Sequence, residues 1–225
     1  MCGRYNLITD AEGLADFFDL VNQIEWRPRY NIAPSQPIPA IRRSPAGREG
    51  VLMRWGLIPF WAKDAKIGYH TINARAETVD QKPAYRAAFR RRRCLIPATG
   101  FYEWRQCGRG KQPYVIRVRG GGLFAFAGLW ESWKDPDGGE IESCSIIVTD
   151  ANEALKPIHD RMPVILDPEV YERWLDPDND DHRALKGFLR PYPSDRLEMW
   201  PVSRRVGNPS FDDPGLIESV PDPSC

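Results

Sequence analysis

Short apolar runs broken by Gly, Pro and Asp dominate this chain, and their length and spacing are those of strands. Strands are predicted at Cys2–Ile8, Pro37–Ile41, Val51–Leu57, Cys94–Ile96, Gly100–Arg105 and Tyr114–Arg119. Further runs at Leu123–Leu129, Ser143–Thr149, Met162–Leu166 and Leu197–Val202 continue the series. Helical patterns are few. Leu14, Phe17 and Phe18 give one short helix an apolar face, with Thr9 as its cap and Glu12 completing a capping box. Pro83–Arg93 reads as a second helix with Tyr85, Ala88 and Phe89 inward, and Pro168–Trp174 and His182–Leu189 as two more. Residues 59–82 read as a loop-rich excursion, and the segment after Val202 as a frayed tail. Strands outnumber helices at a spacing of about 8–12 residues, which suits a barrel or sandwich. The expectation is one α+β domain over residues 1–225, with a largely antiparallel, barrel-like β core flanked by short helices.

Composition narrows the class. The 225 residues are 42% hydrophobic, enough for one well-buried core. No apolar run approaches the ~18 residues of a membrane span. Asp10, Glu12, Asp16 and Asp19 fall where a secretory signal would be apolar. Cys2, Cys94, Cys107, Cys144 and Cys225 are odd in number and far apart, which argues for thiols in a reducing, cytoplasmic setting over a disulfide framework. Three scattered histidines give no metal pattern, so neither metal nor cofactor is expected.

Charge adds one feature. Residues 1–120 hold 21 Lys/Arg against 10 Asp/Glu, and the rest of the chain holds the reverse balance, so the net charge is zero. Either the basic half meets an anionic partner such as nucleic acid, or the two halves pair within one domain.

The candidate chemistry starts at Cys2. Removal of Met1 would leave a free α-amine and a thiol on one residue, a pair that can condense with an aldehyde to a five-membered thiazolidine. In the alternative, Cys2 is a small buried hydrophobe. Glu103 lies between aromatics, with Phe101 on its own strand face and Tyr102 and Trp104 on the other. It is an acid/base of raised pKa or a solvated strand residue. His159 sits among charges and could shuttle a proton. Asn73 and Arg75, two apart, could hold a sugar hydroxyl and a phosphate, or cap a loop. Arg90–Arg93 is a DNA contact or a solvated helix end.

Several segments occur together in one order: Cys2-Gly3-Arg4-Tyr5, Arg29-Tyr30-Asn31-Ile32-Ala33-Pro34, Arg54-Trp55-Gly56-Leu57-Ile58-Pro59 and Asn73-Ala74-Arg75-Ala76-Glu77-Thr78. Arg93-Cys94-Leu95-Ile96-Pro97, Gly100-Phe101-Tyr102-Glu103-Trp104, His159-Asp160-Arg161-Met162-Pro163 and Pro201-Val202-Ser203 complete the set. Over residues 2–208 the chain resembles the SOS-response-associated peptidase (SRAP) family of abasic-site-processing proteins. The resemblance implies a metal-free, cytoplasmic DNA-repair protein, a monomer, nucleoid-associated when bound to damaged DNA. Its partner would be single-stranded DNA containing an abasic site, linked covalently through Cys2. It implies that Asn73 orients the opened sugar, Glu103 acts as general acid/base and His159 assists proton transfer. Arg4 and Arg75 would hold phosphates, Pro34 and Trp61 would shape the DNA path, and Arg86 would line a basic groove. Arg4 and Arg75 are expected to raise the thiolate fraction of Cys2. Ala62 stands where the family often has a second aromatic after Trp61. A thiol peptidase, a lyase side reaction and a non-catalytic binding module are the competing readings.

Overall fold

The computed structural model describes residues 2–136 and 138–222. The strands run β1 (Tyr5–Leu7), β2 (Arg29–Ile32), β3 (Pro37–Ser44), β4 (Gly47–Trp55), β5 (Asn73–Arg75), β6 (Arg93–Ala98) and β7 (Gly100–Cys107). They continue as β8 (Gly110–Val118), β9 (Phe124–Lys134), β10 (Glu140–Asp150), β11 (Arg161–Pro163), β12 (Ile165–Leu166) and β13 (Leu197–Pro201). The α-helices are α1 (Ala11–Phe18), α2 (Arg86–Arg91), α3 (Tyr171–Leu175) and α4 (His182–Gly187).

β10, β4, β3, β6 and β9 pair in turn, and the β9–β10 ladder brings the last strand back to the first. The result is a five-stranded closed ring, antiparallel except for the β4–β10 pairing. Closure leaves no free edge among these strands. This is the α+β, barrel-like core expected from the strand spacing. A second sheet, in the order β13-β8-β7-β1-β2, lies against it.

Tyr5 of β1 meets Trp55 edge-on at 5.4 Å and Phe126 at 5.9 Å between ring centres, and Phe101 of β7 packs on Phe126 at 6.0 Å. Each such buried side chain contributes roughly 1.5–3 kcal/mol through loss of apolar contact with water. The next residue along, Tyr102, faces the opposite way. It joins Val115, Val202, Val206 and Leu216 in a separate apolar cluster against which Trp104 packs. The alternation read from residues 101–104 is therefore the division of β7 between two cores.

Four local expectations are corrected. The cap of α1 is Asp10, whose Oδ1 accepts from Gly13 N at 2.9 Å, and Thr9 lies outside the helix. Only Leu14 and Phe18 of its apolar triplet are buried, while Phe17 is exposed. Met162–Leu166 is not one strand: β11 pairs with β10 and β12 with β9. The segment after Val202 is docked, not frayed. Asn31 Nδ2 donates to the carbonyls of Val206, Asn208 and Phe211, and Asp212 Oδ1 accepts from the N–H groups of Tyr30 and Asn31. Leu216 is buried, and Trp200 Nε1 donates to Ile217 O at 2.8 Å.

The cysteines need a correction too. Cys2, Cys94 and Cys144 are free and buried, but Cys107 is disulfide-bonded. Among the described residues, no helix is long and apolar enough to cross a membrane.

Part of the basic half pairs with carboxylates of the acidic half. Arg29 pairs with Asp212, Arg42 with Glu142, Arg43 and Arg48 with Glu172, Arg92 with Glu131 and Arg105 with Asp222. Within Arg90–Arg93 only Arg90 makes no hydrogen bond through its side chain among the described residues. Arg91 donates to Pro177 O, and Arg93 is buried in a cage of carbonyls from Phe89, Arg90, Trp174 and Asp176. Arg91 and Arg93 fasten α2 to the segment after α3 and Arg92 pairs with Glu131 of β9, while Arg90 and Arg91 remain exposed.

Candidate active site

β1 brings Cys2 to Glu103. Tyr5 pairs with Phe101, and Tyr102 N donates to Arg4 O at 3.0 Å, so the antiparallel register places Gly3 opposite Glu103. Cys2 is wholly buried, as the bland reading of it foresaw, yet it is also within electrostatic reach of Glu103. Burial pushes its thiol well above the ordinary range, and the neighbouring carboxylate pushes the same way. That overturns the expectation that Arg4 and Arg75 favour the thiolate. A buried thiol beside a carboxylate holds its proton.

Glu103 is itself buried by its place on β7 between two cores, and desolvation pushes its pKa up to about 7. At neutral pH such a carboxyl populates both protonation states. His159 faces it from the loop before β11, with Nε2 3.9 Å from Glu103 Oε2. Its Nδ1 lies 3.0 Å from Arg161 N and 3.3 Å from Arg161 O, so it accepts from the backbone N–H in one tautomer and donates to the carbonyl in the other. The first puts the proton of the neutral ring on Nε2, the nitrogen turned to Glu103. Burial lowers the pKa of His159 and keeps the ring neutral. Asp160 Oδ1, 3.1 Å from Nδ1, opposes this effect.

The loop carrying His159 is tied to the segment carrying Asn73. Arg161 Nη1 donates to Glu77 Oε1 at 2.5 Å, and β5 and β11 both pair with the second half of β10. Asn73, opposite Ile146, is buried, and its Nδ2 reaches Ile146 O only at 3.5 Å. Its Oδ1 is buried with no hydrogen-bond partner. A buried carbonyl oxygen left so costs about 1–3 kcal/mol, which a ligand donor would relieve. Among the described residues Asn73 makes no hydrogen bond to Cys2, Glu103 or His159.

The DNA-contact candidates are dispersed. Arg4 is half-buried and anchored: Nη1 donates to Asn31 Oδ1 at 2.9 Å and Val206 O at 2.7 Å, and Nη2 to Gly207 O at 3.1 Å. Arg75 and Arg86 are exposed. Pro34 is half-buried in the Ala33–Gln36 turn, where Ser35 takes φ 71°, a left-handed conformation unusual for a non-glycine residue. Trp61 is exposed beside Phe60, and Tyr69 is exposed on the same excursion. The motif reading named Trp61 alone. The excursion folds back at Gly56, where φ is 130° and a Cβ would stand 2.4 Å from Gly68 O, so only glycine fits.

Glu103 and His159 open into a cleft of about 360 Å³, lined also by Trp104, Lys111 and Gly207. Lys111 was missed in the motif reading. The signal was available: Gly108-Arg109 closes a tight hairpin between β7 and β8, which pairs Gln106 with Lys111.

Fold and site together define an α+β barrel protein with Cys2 set near a buried glutamate that faces a half-buried histidine. The chain belongs to the SOS response associated peptidase (SRAP) family, whose sequence model matches residues 1–209. It is 44% identical to the abasic site processing protein YoqW of Bacillus subtilis, over 97% of this chain and 100% of that one. It is 33% identical to the abasic site processing protein HMCES of Gallus gallus, over 94% of this chain and 72% of that one. A crystal structure of a Bacteroides thetaiotaomicron protein superposes with a TM-score of 0.88 at 30% identity, covering 97% of this chain and 100% of that one.

Proposed function

We propose that this protein recognises abasic sites in single-stranded DNA and, once Met1 is removed, joins them covalently through Cys2 as a thiazolidine. The observation that carries the reading is Glu103, a buried carboxyl whose charge acts on Cys2 and which faces His159 Nε2 at 3.9 Å. Relatives named for abasic-site processing support the substrate.

An abasic sugar exists mainly as a closed hemiacetal. Opening it takes the proton from the C1′ hydroxyl and returns one to the ring oxygen. Glu103 and the Nε2–H of His159 can perform this exchange between them. The freed aldehyde is attacked by the neutral α-amine of Cys2, and the carbinolamine loses one water to give an imine. Cys2 Sγ then adds to the same carbon. Its proton passes to the Glu103 carboxylate and the imine nitrogen takes one up, so the net change is loss of one water. The raised thiol pKa supports this order, amine first and sulfur second, because the amine needs no thiolate. It also weighs against a thiol peptidase, which requires Cys2 to be ionised before attack. Asn73 Oδ1 would accept a hydrogen bond from the opened sugar or the amine. Arg75 and Arg86 would meet phosphates, Pro34 would bound the strand's path, and Trp61 would stack a flanking base for about 1–3 kcal/mol.

The test is intact mass before and after incubation with a single-stranded oligonucleotide containing one abasic site. A species heavier by the oligonucleotide minus one water, stable to boiling in detergent, is expected. Protein lacking Met1 that gives no adduct would overturn the reading.

A further inference from the structure

Among the described residues, Lys111 is the one Lys or Arg lining the cleft that Glu103 and His159 open into. It makes no hydrogen bond or ion pair among the described residues, and its charge reaches both catalytic candidates, lowering the pKa of each. Its surroundings are basic. The Arg204 guanidinium lies over Gly110, with both Nη atoms 3.8 Å from where a Cβ on that glycine would stand. Arg204 makes no ion pair among the described residues either. Arg109, in the same hairpin, is exposed and likewise unpaired. Lys111, Arg109 and Arg204 thus gather at the β7–β8 hairpin as three cations with no carboxylate partner among the described residues, and the first of them lines the cleft.

Arg4 sharpens the point. The sequence offers it as the phosphate ligand nearest Cys2, yet its guanidinium is turned inward on Asn31, Val206 and Gly207. Its hold on Gly207 fixes the wall of the cleft that faces Lys111. The cation nearest the lesion is thus spent on architecture, and the ammonium across the cleft is not.

We propose that Lys111, seconded by Arg204, binds a backbone phosphate of the damaged strand beside the lesion, so that the strand crosses the cleft over the β7–β8 hairpin. This inference rests on the abasic-DNA reading above and adds where the anionic backbone runs. An ammonium on a flexible stem serves as a point charge for phosphate and needs no fixed bidentate geometry. At the rim, its desolvation cost is small.

The experiment measures binding of single-stranded DNA carrying a tetrahydrofuran abasic analogue, which cannot react, across a salt series. The proteins are wild type, Lys111→Met, Lys111→Arg and the Lys111→Met/Arg204→Gln pair, with crosslinking to true abasic DNA measured in parallel. One lost phosphate contact lowers the slope of log K against log[salt] by about 0.7 on a single strand. Lys111→Met is expected to show that loss, the double variant about twice it, and Lys111→Arg the wild-type slope. An unchanged slope in Lys111→Met overturns the proposal, even if crosslinking slows, because a purely electrostatic effect on Glu103 would leave binding counterions untouched. Wild-type crosslinking separates the two readings. Its absence sinks the abasic-site function, whereas its presence with an unchanged slope sinks only the role of Lys111.

Discussion

His159 presents its Nε2 to Glu103 Oε2 at 3.9 Å, while its other ring nitrogen is held by the backbone of Arg161, 3.0 Å from the N and 3.3 Å from the O. The orientation of the imidazole is therefore set by the chain two residues on, and in the tautomer with Nδ1 as acceptor its proton points toward the carboxyl. A carboxyl at pKa about 7 facing a neutral imidazole can give and take a proton in turn. Ring opening and thiol addition make that pair of demands.

Replacing Glu103 by Gln removes the acceptor for the thiol proton and the partner of His159. Crosslinking is expected to slow by about 10²–10⁴, the usual worth of general acid–base catalysis. In wild type the thiol-addition step should speed up as pH rises through about 7, as Glu103 loses its proton. In Glu103→Gln that limb should be absent from a pH profile of adduct formation.

The same substitution carries a stability signature. Glu103 binds its proton more tightly folded than unfolded, where the value is about 4.3. Folded-state stability therefore falls as pH rises from about 4.3 through about 7, and the penalty is complete above that. Thermal melts should find Glu103→Gln more stable than wild type at about pH 8, by roughly 1–3 kcal/mol, and little different near pH 4. Equal melting temperatures at the higher pH would show that Glu103 is not desolvated.

Cys2→Ser keeps the α-amine and removes the sulfur. An imine should still form with abasic DNA and be trapped by borohydride, but the adduct should not survive heating without reduction. In native wild type, alkylation of Cys2 by iodoacetamide should be far slower than after denaturation, since the thiol is buried and protonated. Peptide mass mapping reads both.

Asn31 joins the amino-terminal strands to the tail. Its Oδ1 accepts from Arg4 and its Nδ2 serves three tail carbonyls. Asn31→Ala leaves those buried groups unsatisfied and should cost about 2–4 kcal/mol. Limited proteolysis should then cut beyond Ser203, where the wild-type tail resists. Asn73→Ala contrasts with it: its Oδ1 has no partner to lose, so crosslinking should drop with little change in melting temperature.

Much of the scaffold is legible in order along the chain. The strand runs follow from local apolar spacing, and the division of β7 between two cores follows from side-chain alternation at Phe101, Tyr102, Glu103 and Trp104. The motifs marked the cysteine, glutamate and histidine as a set. Those are properties of near neighbours or of residue type, and sequence states them directly.

Other features depend on residues far apart. Ring closure is a pairing of β10 with both β4 and β9, which no window on the sequence contains. The ionisation of Cys2 was misjudged because nearby arginines suggested a thiolate, whereas burial and Glu103, about a hundred positions on, decide it. The same distance explains Arg4, Arg93 and the tail. Whether a guanidinium meets a phosphate, a carboxylate or a ring of carbonyls depends on what the fold places around it. Desolvation and pairing are properties of that surrounding volume and not of the chain. Sequence named the groups that could react; tertiary structure set the burial and neighbours that govern their protons, and placed Lys111 in the cleft beside Glu103 and His159.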